Sequence, residues 1–452
     1  MFILKVFRIG AIALAMGFVP ATTQAETLTE AMAYAYSNNP SLASSFLSVR
    51  AAQQAIRSAE GARLPTIGAE ASVGYSWTDT PLGSSSGTTD SLGLSYSQTL
   101  FDSSRTDAAI LAAEANYQAA IHGARNVEQN VLLSVAQAYV NLVTNRRIVD
   151  IRQENIGFVR AQLQSARDRL ELGEGTQLDV AQAQASLAQA EAAYQGAINN
   201  LRMAEANFVR WVGREPRNLT ASYSYTNLLP ASLDSAIATA TTNHPALLAS
   251  AAQIRAAQHR YDETVAGFGP TVSLRGQVGA SGFTNNAVTS QASVSLNLSI
   301  PIFVPSRNPA IEQANIGQIQ SHVEGIATRD QIVEAVRQGW SGIEATTAQI
   351  ESATAAVAAS RLALQAVIDQ NEVGQATTLD VLNARATLLN AEEGLASAQA
   401  QRVIASYSLI AATGALTAAN LRLPVQLRGP DGQVAVPAKV PTAPVDAWGN
   451  LR

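Results

Sequence analysis

The most constraining feature of this chain is that it is written twice. Leu28-Thr29-Glu30-Ala31, leading to Asn38-Asn39-Pro40-Ser41-Leu42, returns as Leu233-Asp234-Ser235-Ala236, leading to Asn243-His244-Pro245-Ala246-Leu247. Arg50-Ala51-Ala52-Gln53 returns as Arg255-Ala256-Ala257-Gln258, and Gly173…Thr176…Leu178-Asp179-Val180 as Gly374…Thr377…Leu379-Asp380-Val381. A repeat unit of roughly 200 residues predicts an internally duplicated fold, not a solenoid of short units. The two units are 26–230 and 231–423, each predicted to hold one helix, two strands and two further helices.

The predicted strands are 66–77, 91–101, 271–283 and 291–302, each alternating with period 2. In the first, Ile67, Ala69, Ala71, Val73, Tyr75 and Trp77 share one face, while Thr66, Gly68, Glu70, Ser72, Gly74 and Ser76 share the other. In the last, Val294, Leu296, Leu298, Ile300 and Ile302 oppose Ser293, Ser295, Asn297 and Ser299. Each is near the length of a tilted strand crossing a bilayer. Two hairpins of a soluble sandwich would also alternate, but the small uncharged residues of the polar faces suit a wet lumen. The Gly/Ser/Thr-rich segments 78–90 and 284–290 read as exposed loops. A barrel needs about eight strands to close, so spanning strands require an oligomer that pools them.

The rest reads as helix of unusual length. No proline interrupts Asp102 to Leu172 or Ala310 to Val373, which predicts long helices over 102–172 and 304–373, returning as 177–212 and 377–416. Ile156, Val159, Leu163, Ala166 and Leu170 follow a 3-4-3-4 spacing, mirrored by Val357, Ser360, Leu364, Val367 and Asn371. That heptad pattern predicts coiled-coil packing.

Composition narrows function by exclusion. Only 14% of residues are charged and there is no Cys, which removes disulfides, thiolate metal sites and a cysteine nucleophile. The only lysines are Lys5 and Lys439, so a P-loop or Schiff-base lysine is missing from the body of the chain. The four His stand singly, with no metal-ligand spacing, and no cofactor or metal is expected. A net charge of −5 does not suit nucleic acid. Gly83-Ser84-Ser85-Ser86-Gly87 matches a nucleophile-elbow pattern without the following helix that the elbow needs, so no enzyme is expected. Lys5 and Arg8, the apolar run Ile9–Val19 and the small residues up to Ala25 read as a secretory signal peptide, 1–25, cleaved after Ala25. The Pro-rich segment 424–452 reads as a disordered tail.

Export, duplication, membrane-length strands and paired coiled coils together resemble the TolC family of outer-membrane efflux and secretion ducts. The specific carriers are Leu28…Asn38-Asn39-Pro40, Leu64-Pro65, Leu100-Phe101-Asp102, Pro301-Ile302-Phe303 and the two Gly-x-x-Thr-x-Leu-Asp-Val tips. No Cys follows Ala25, so the resemblance is to the unlipidated branch. It implies an α+β membrane protein with four transmembrane β-strands per chain on a long coiled-coil α-helical barrel. A homotrimer would close one twelve-stranded β-barrel in outer-membrane lipid. It further implies a passive duct in the outer membrane of a Gram-negative bacterium, extending into the periplasm. Its partners would be a periplasmic adaptor (membrane fusion) protein and an inner-membrane efflux pump or ABC transporter. Drug efflux and type I protein secretion both fit. A periplasmic adaptor is the alternative, but it should carry one central hairpin, not strands inside each of two repeats. Tyr75, Trp77, Phe101, Phe283 and Phe303 fit either an interfacial girdle or a cap on the barrel end.

The tips are the candidate site. Gly173, Gly175 and Thr176 in the first, and Gly374 and Thr377 in the second, link helices and are assigned to adaptor docking. Thr176 with Asp179, and Thr377 with Asp380, fit capping boxes. In a trimer the same carboxylates would ring the mouth and favour cations. By the resemblance, Asp380 matches the outer aperture ring, and Asn383 falls where a second aspartate is expected. Asp179 holds a bracing position whose usual aromatic partner would be Asn371, and an expected bracing arginine corresponds to Ala376.

Overall fold

The computed structural model describes residues 26–81, 83–223, 226–283 and 288–427. The signal peptide with Ala25, the first four residues of the second predicted loop (284–287) and all but the first residues of the predicted tail lie outside the described residues. In order, the elements are α1 (Leu28–Asn38), α2 (Pro40–Gly61), β1 (Thr66–Thr80), β2 (Gly83–Phe101), α3 (Arg105–Glu171) and α4 (Gln177–Val212). A single 3-10 turn separates these from α5 (Leu233–Asn243), α6 (Pro245–Ala266), β3 (Thr271–Ser281), β4 (Thr289–Ser299), α7 (Arg307–Glu372) and α8 (Thr378–Ala412).

Several sequence expectations need correction. Each half opens with two helices, not one. A residue before proline is pushed out of the α region, and proline itself suits a helix's first position. Asn39 therefore ends α1 in extended backbone and caps α2, its Oδ1 accepting from Ser41 and Leu42 N–H; His244 does the same in the second half through Nδ1. The expected loop 78–90 is instead the outer half of a hairpin that pairs through Thr80↔Gly83. Its Ser and Thr residues pair well but carry no apolar alternation, so the period-2 signal stopped short. In the second half β4 starts at Thr289 and ends at Ser299, short of 302, because Pro301 has no N–H to give a ladder. The long helices begin at Arg105 and Arg307, not 102 and 304, and α8 stops at Ala412, not 416. Before α3, Ser103 and Ser104 both take positive φ, and the Asp102 carboxylate accepts from Thr106 N–H at 2.9 Å. That compact reversal turns the end of β2 into a helix.

The four strands form one antiparallel sheet in the order β1-β2-β3-β4. On its apolar face Ile67, Val73, Tyr75, Trp77, Leu92, Leu94, Val278, Val294, Leu296 and Leu298 are all exposed. An uncovered apolar face of this extent is a membrane or partner surface. At ~1.5 Å per residue, the 67 residues of α3 span about 100 Å. On the strand side, α3 packs against α2 and α6, and α6 against α7; on the far side α3 packs against α4 and α8, and α8 against α7. Close approach is built in by small residues: a Cβ on Gly339 of α7 would meet Leu409 Cα of α8 at 3.1 Å.

The main core lies midway along the helices, where α1, α3, α4 and α8 converge on Leu132, Val135, Tyr139, Leu142, Phe208, Tyr407 and Ile410. Each such side chain contributes about 1.5–3 kcal/mol by burial. Tyr139 is fully buried, yet its hydroxyl proton lies between the Glu26 and Thr220 carbonyl oxygens, at 2.7 and 2.8 Å from the hydroxyl oxygen, which also accepts from Thr220 N–H. Burial pushes its phenol pKa up. Glu26, the residue after the predicted cleavage point, is 2% exposed and ion-paired to Arg214 at 2.6 Å, while Glu26 and Leu219 form a parallel bridge. Among the described residues no helix is long and apolar enough to cross a membrane.

Candidate functional site at the helical tips

Both long helices end in the same way. After α3, Gly173 takes φ 78°, and the N–H groups of Glu174 and Gly175 both return to the Arg169 carbonyl at 2.8 and 3.0 Å. After α7, Gly374 takes φ 77°, and Gln375 and Ala376 return to the Gln370 carbonyl at 2.8 and 3.3 Å. The left-handed residue is what a helix C-terminus needs to satisfy its last carbonyls, and glycine adopts it without strain. The turns differ one position later. A Cβ on Gly175 would sit 3.0 Å from Leu170 N and 3.1 Å from Arg169 Cβ. Ala376 carries that Cβ, its bond to Gln370 is longer, and Asn371 Nδ2 donates to the Ala376 carbonyl at 2.7 Å.

Each tip then starts its return helix with a complete capping box. Asp179 Oδ2 accepts from Thr176 N–H, and Thr176 Oγ1 accepts from Asp179 N–H. Asp380 Oδ2 accepts from Thr377 N–H at 2.8 Å and from its hydroxyl at 2.7 Å. The Thr377 hydroxyl, followed by its backbone N–H, holds the Asp380 carboxyl below the usual carboxylate range. Asn383 lies one turn further on, exposed, on the same face of α8.

The bracing differs from what the resemblance implies. Asp179 bonds within its own box and Asn371 within its own turn, so the two do not meet among the described residues. Three arginines instead tie the first repeat to the second. Arg169 donates to the Asn371 carbonyl at 3.3 Å, and Arg385 Nε donates to Asn155 Oδ1 at 3.0 Å while its guanidinium lies 5.2 Å from the Phe158 ring centre. Deeper still, Arg152 Nη2 donates to Glu393 Oε2 at 2.9 Å, with Nε 2.7 Å from Oε1 in a bent, unaligned contact. Arg152 Nη1 also reaches the Ala193 carbonyl, so one side chain links α3, α4 and α8. Sequence reasoning missed these braces because their partners lie more than 200 positions away.

A four-stranded sheet with an uncovered apolar face, continuous with helices of about 100 Å that end in acidic capped turns, defines the architecture of a membrane-anchored helical conduit. The chain belongs to the outer membrane efflux protein family, whose model matches residues 32–214 and 236–415. It is 35% identical over 431 residues to the outer membrane efflux protein BepC of Brucella suis, covering 94% of this chain and 92% of that one. It is 24% identical over 432 residues to the outer membrane protein TolC of Escherichia coli, covering 91% and 86%. The fold is also that of the Campylobacter jejuni CmeC outer membrane channel, with a TM-score of 0.76 at 16% identity over 86% of each chain. The chain is thus an outer-membrane channel protein of the efflux and secretion type.

Proposed function

We propose that this chain is one third of a passive export duct, with units 26–230 and 231–423 as its two repeats. The observation that carries the reading is a matched pair of free edges on every tier. The sheet ends at β1 and β4, the strand-side helices at α2 and α7, and the far helices at α4 and α7. Edges of this kind join head to tail and close only as a ring. The α7 edge also carries Ile316, Ile319, Val323 and Ile326, a 3-4-3 stripe that is more than half exposed and suits a facing helix of a second copy. Three copies would pool twelve strands, enough for a barrel wide enough to conduct.

The tips would be the gate. Leu172, Leu178 and Val373 are exposed there beside the carboxylates, a mixed surface suited to docking an adaptor. Free energy for opening would come from contacts that the partner makes better with the open tips than with the closed ones. The chain would contribute no chemistry of its own, and cargo choice, whether drug or secreted protein, would rest with the inner-membrane pump or ABC transporter. Purified protein in planar bilayers tests the gate: it should conduct with cation preference, and Asp380→Asn should weaken that preference. Unchanged preference in the variant removes Asp380 from the aperture. Drug susceptibility and the secreted proteome of a deletion strain separate the two kinds of cargo.

A further inference from the structure

The strand region holds a second charged station, distinct from the tips. Strand register fixes which residues share the polar face. One row runs Glu70, Gly93, Gly279, Gln291 across the four strands, and another runs Thr66, Ser97, Arg275, Ser295. Every other described residue on this face between those strands is Ser, Thr, Gly, Gln or Asn. Glu70 and Arg275 are its only charges, and among the described residues neither has an ion-pair partner.

The Glu70 row is shaped as well as charged. Its two central positions are glycines on neighbouring strands. A Cβ on Gly279 would come within 3.0 Å of the Leu92 carbonyl, and one on Gly93 within 3.4 Å of the Val278 carbonyl. Their bareness leaves a concavity floored by backbone and bordered by Glu70, Gln277 and Gln291. A carboxylate with amide oxygens over a backbone floor suits an ammonium or guanidinium group, the head of an organic cation.

We propose that Glu70 forms an organic-cation binding station in the strand lumen, with Arg275 as an opposed charge nearer the helices. The proposal rests on the duct reading above. Four residues of strand separate the two rows, about 13 Å at ~3.3 Å per residue, which exceeds the ~10 Å Debye length at 0.1 M salt. The two charges therefore act as separate rings in series. Cargo leaving the helices meets Arg275 first and Glu70 second, so a cation that has passed the inner ring is held near the exit and hindered from returning.

The test is planar-bilayer recording of the full-length assembly, with spermidine added on the strand side. Wild-type protein should be blocked, Glu70→Gln should weaken the block roughly tenfold by loss of the ring charge, and Asp380→Asn, at the far end of the duct, should weaken it much less than Glu70→Gln does. Arg275→Gln should shift the reversal potential in a salt gradient toward cations. These side chains face water, so the variants retain the fold. Conducting Glu70→Gln channels blocked as strongly as wild type overturn the station. A wild-type protein that produces no conductance overturns the duct reading instead.

Discussion

The Arg152–Glu393 brace offers the sharpest test of how the duct opens. It joins α3 to α8 midway between the core and the tips, with side chains only 27% and 19% exposed. Glu393→Gln keeps shape and a neutral acceptor but removes the charge that holds the guanidinium. A charge-assisted bond in such partly buried surroundings is worth about 1.5–3 kcal/mol. If opening separates the two coiled-coil pairs here, the closed state alone loses that energy. A loss of about 2 kcal/mol raises the open-to-closed ratio roughly 30-fold. The assay is the fraction of time that single channels conduct at fixed voltage, with thermal melting alongside. Arg152→Lys, which keeps charge but not the planar fork, should have an intermediate effect. A lowered melting temperature with unchanged open fraction would refute the reasoning, because the brace would then hold both states equally.

Two further outcomes follow from the same geometry. Ile319→Asp with Val323→Asp puts charges into the α7 stripe, which is exposed in the single chain, so the chain should fold but the detergent-extracted assembly should fall apart into single chains on size-exclusion chromatography. His244 is held below its ordinary pKa of 6.5 by burial, partly offset by a bond to the Ala411 backbone. The unfolded chain therefore binds the proton more readily, and this stability is present above pH 6.5 and lost as pH falls below it. His244→Asn, copying Asn39 of the first repeat, should lose less melting temperature than wild type between neutral and acid buffer; an equal loss would clear His244.

What the sequence disclosed was what depends on periodicity. Period-2 alternation located most of β1, the inner half of β2 and nearly all of β3 and β4, overrunning the ends of the last two at Ser281 and Ser299, and the heptads at Ile156, Val159 and Leu163 mark side chains that are buried in α3. The Thr176–Asp179 and Thr377–Asp380 boxes were legible because a cap needs only four consecutive residues. The outer hairpin was not legible, since Ser84 to Thr89 pair through backbone and hydroxyls with no apolar side to betray them. Nor were the braces: Arg385 meeting Asn155, or Glu26 meeting Arg214, depends on how distant segments come together. The Asn39-Pro40 junction could have been read as a helix break, because the residue before proline resists the α conformation.

Everything about the duct depends on the free edges of β1, β4, α2, α4 and α7 closing between copies. The direct measurement is native mass spectrometry of the protein extracted from outer membranes in mild detergent. The account predicts a single species of three processed chains, each beginning at Glu26. A species of one chain, or of two, would contradict it.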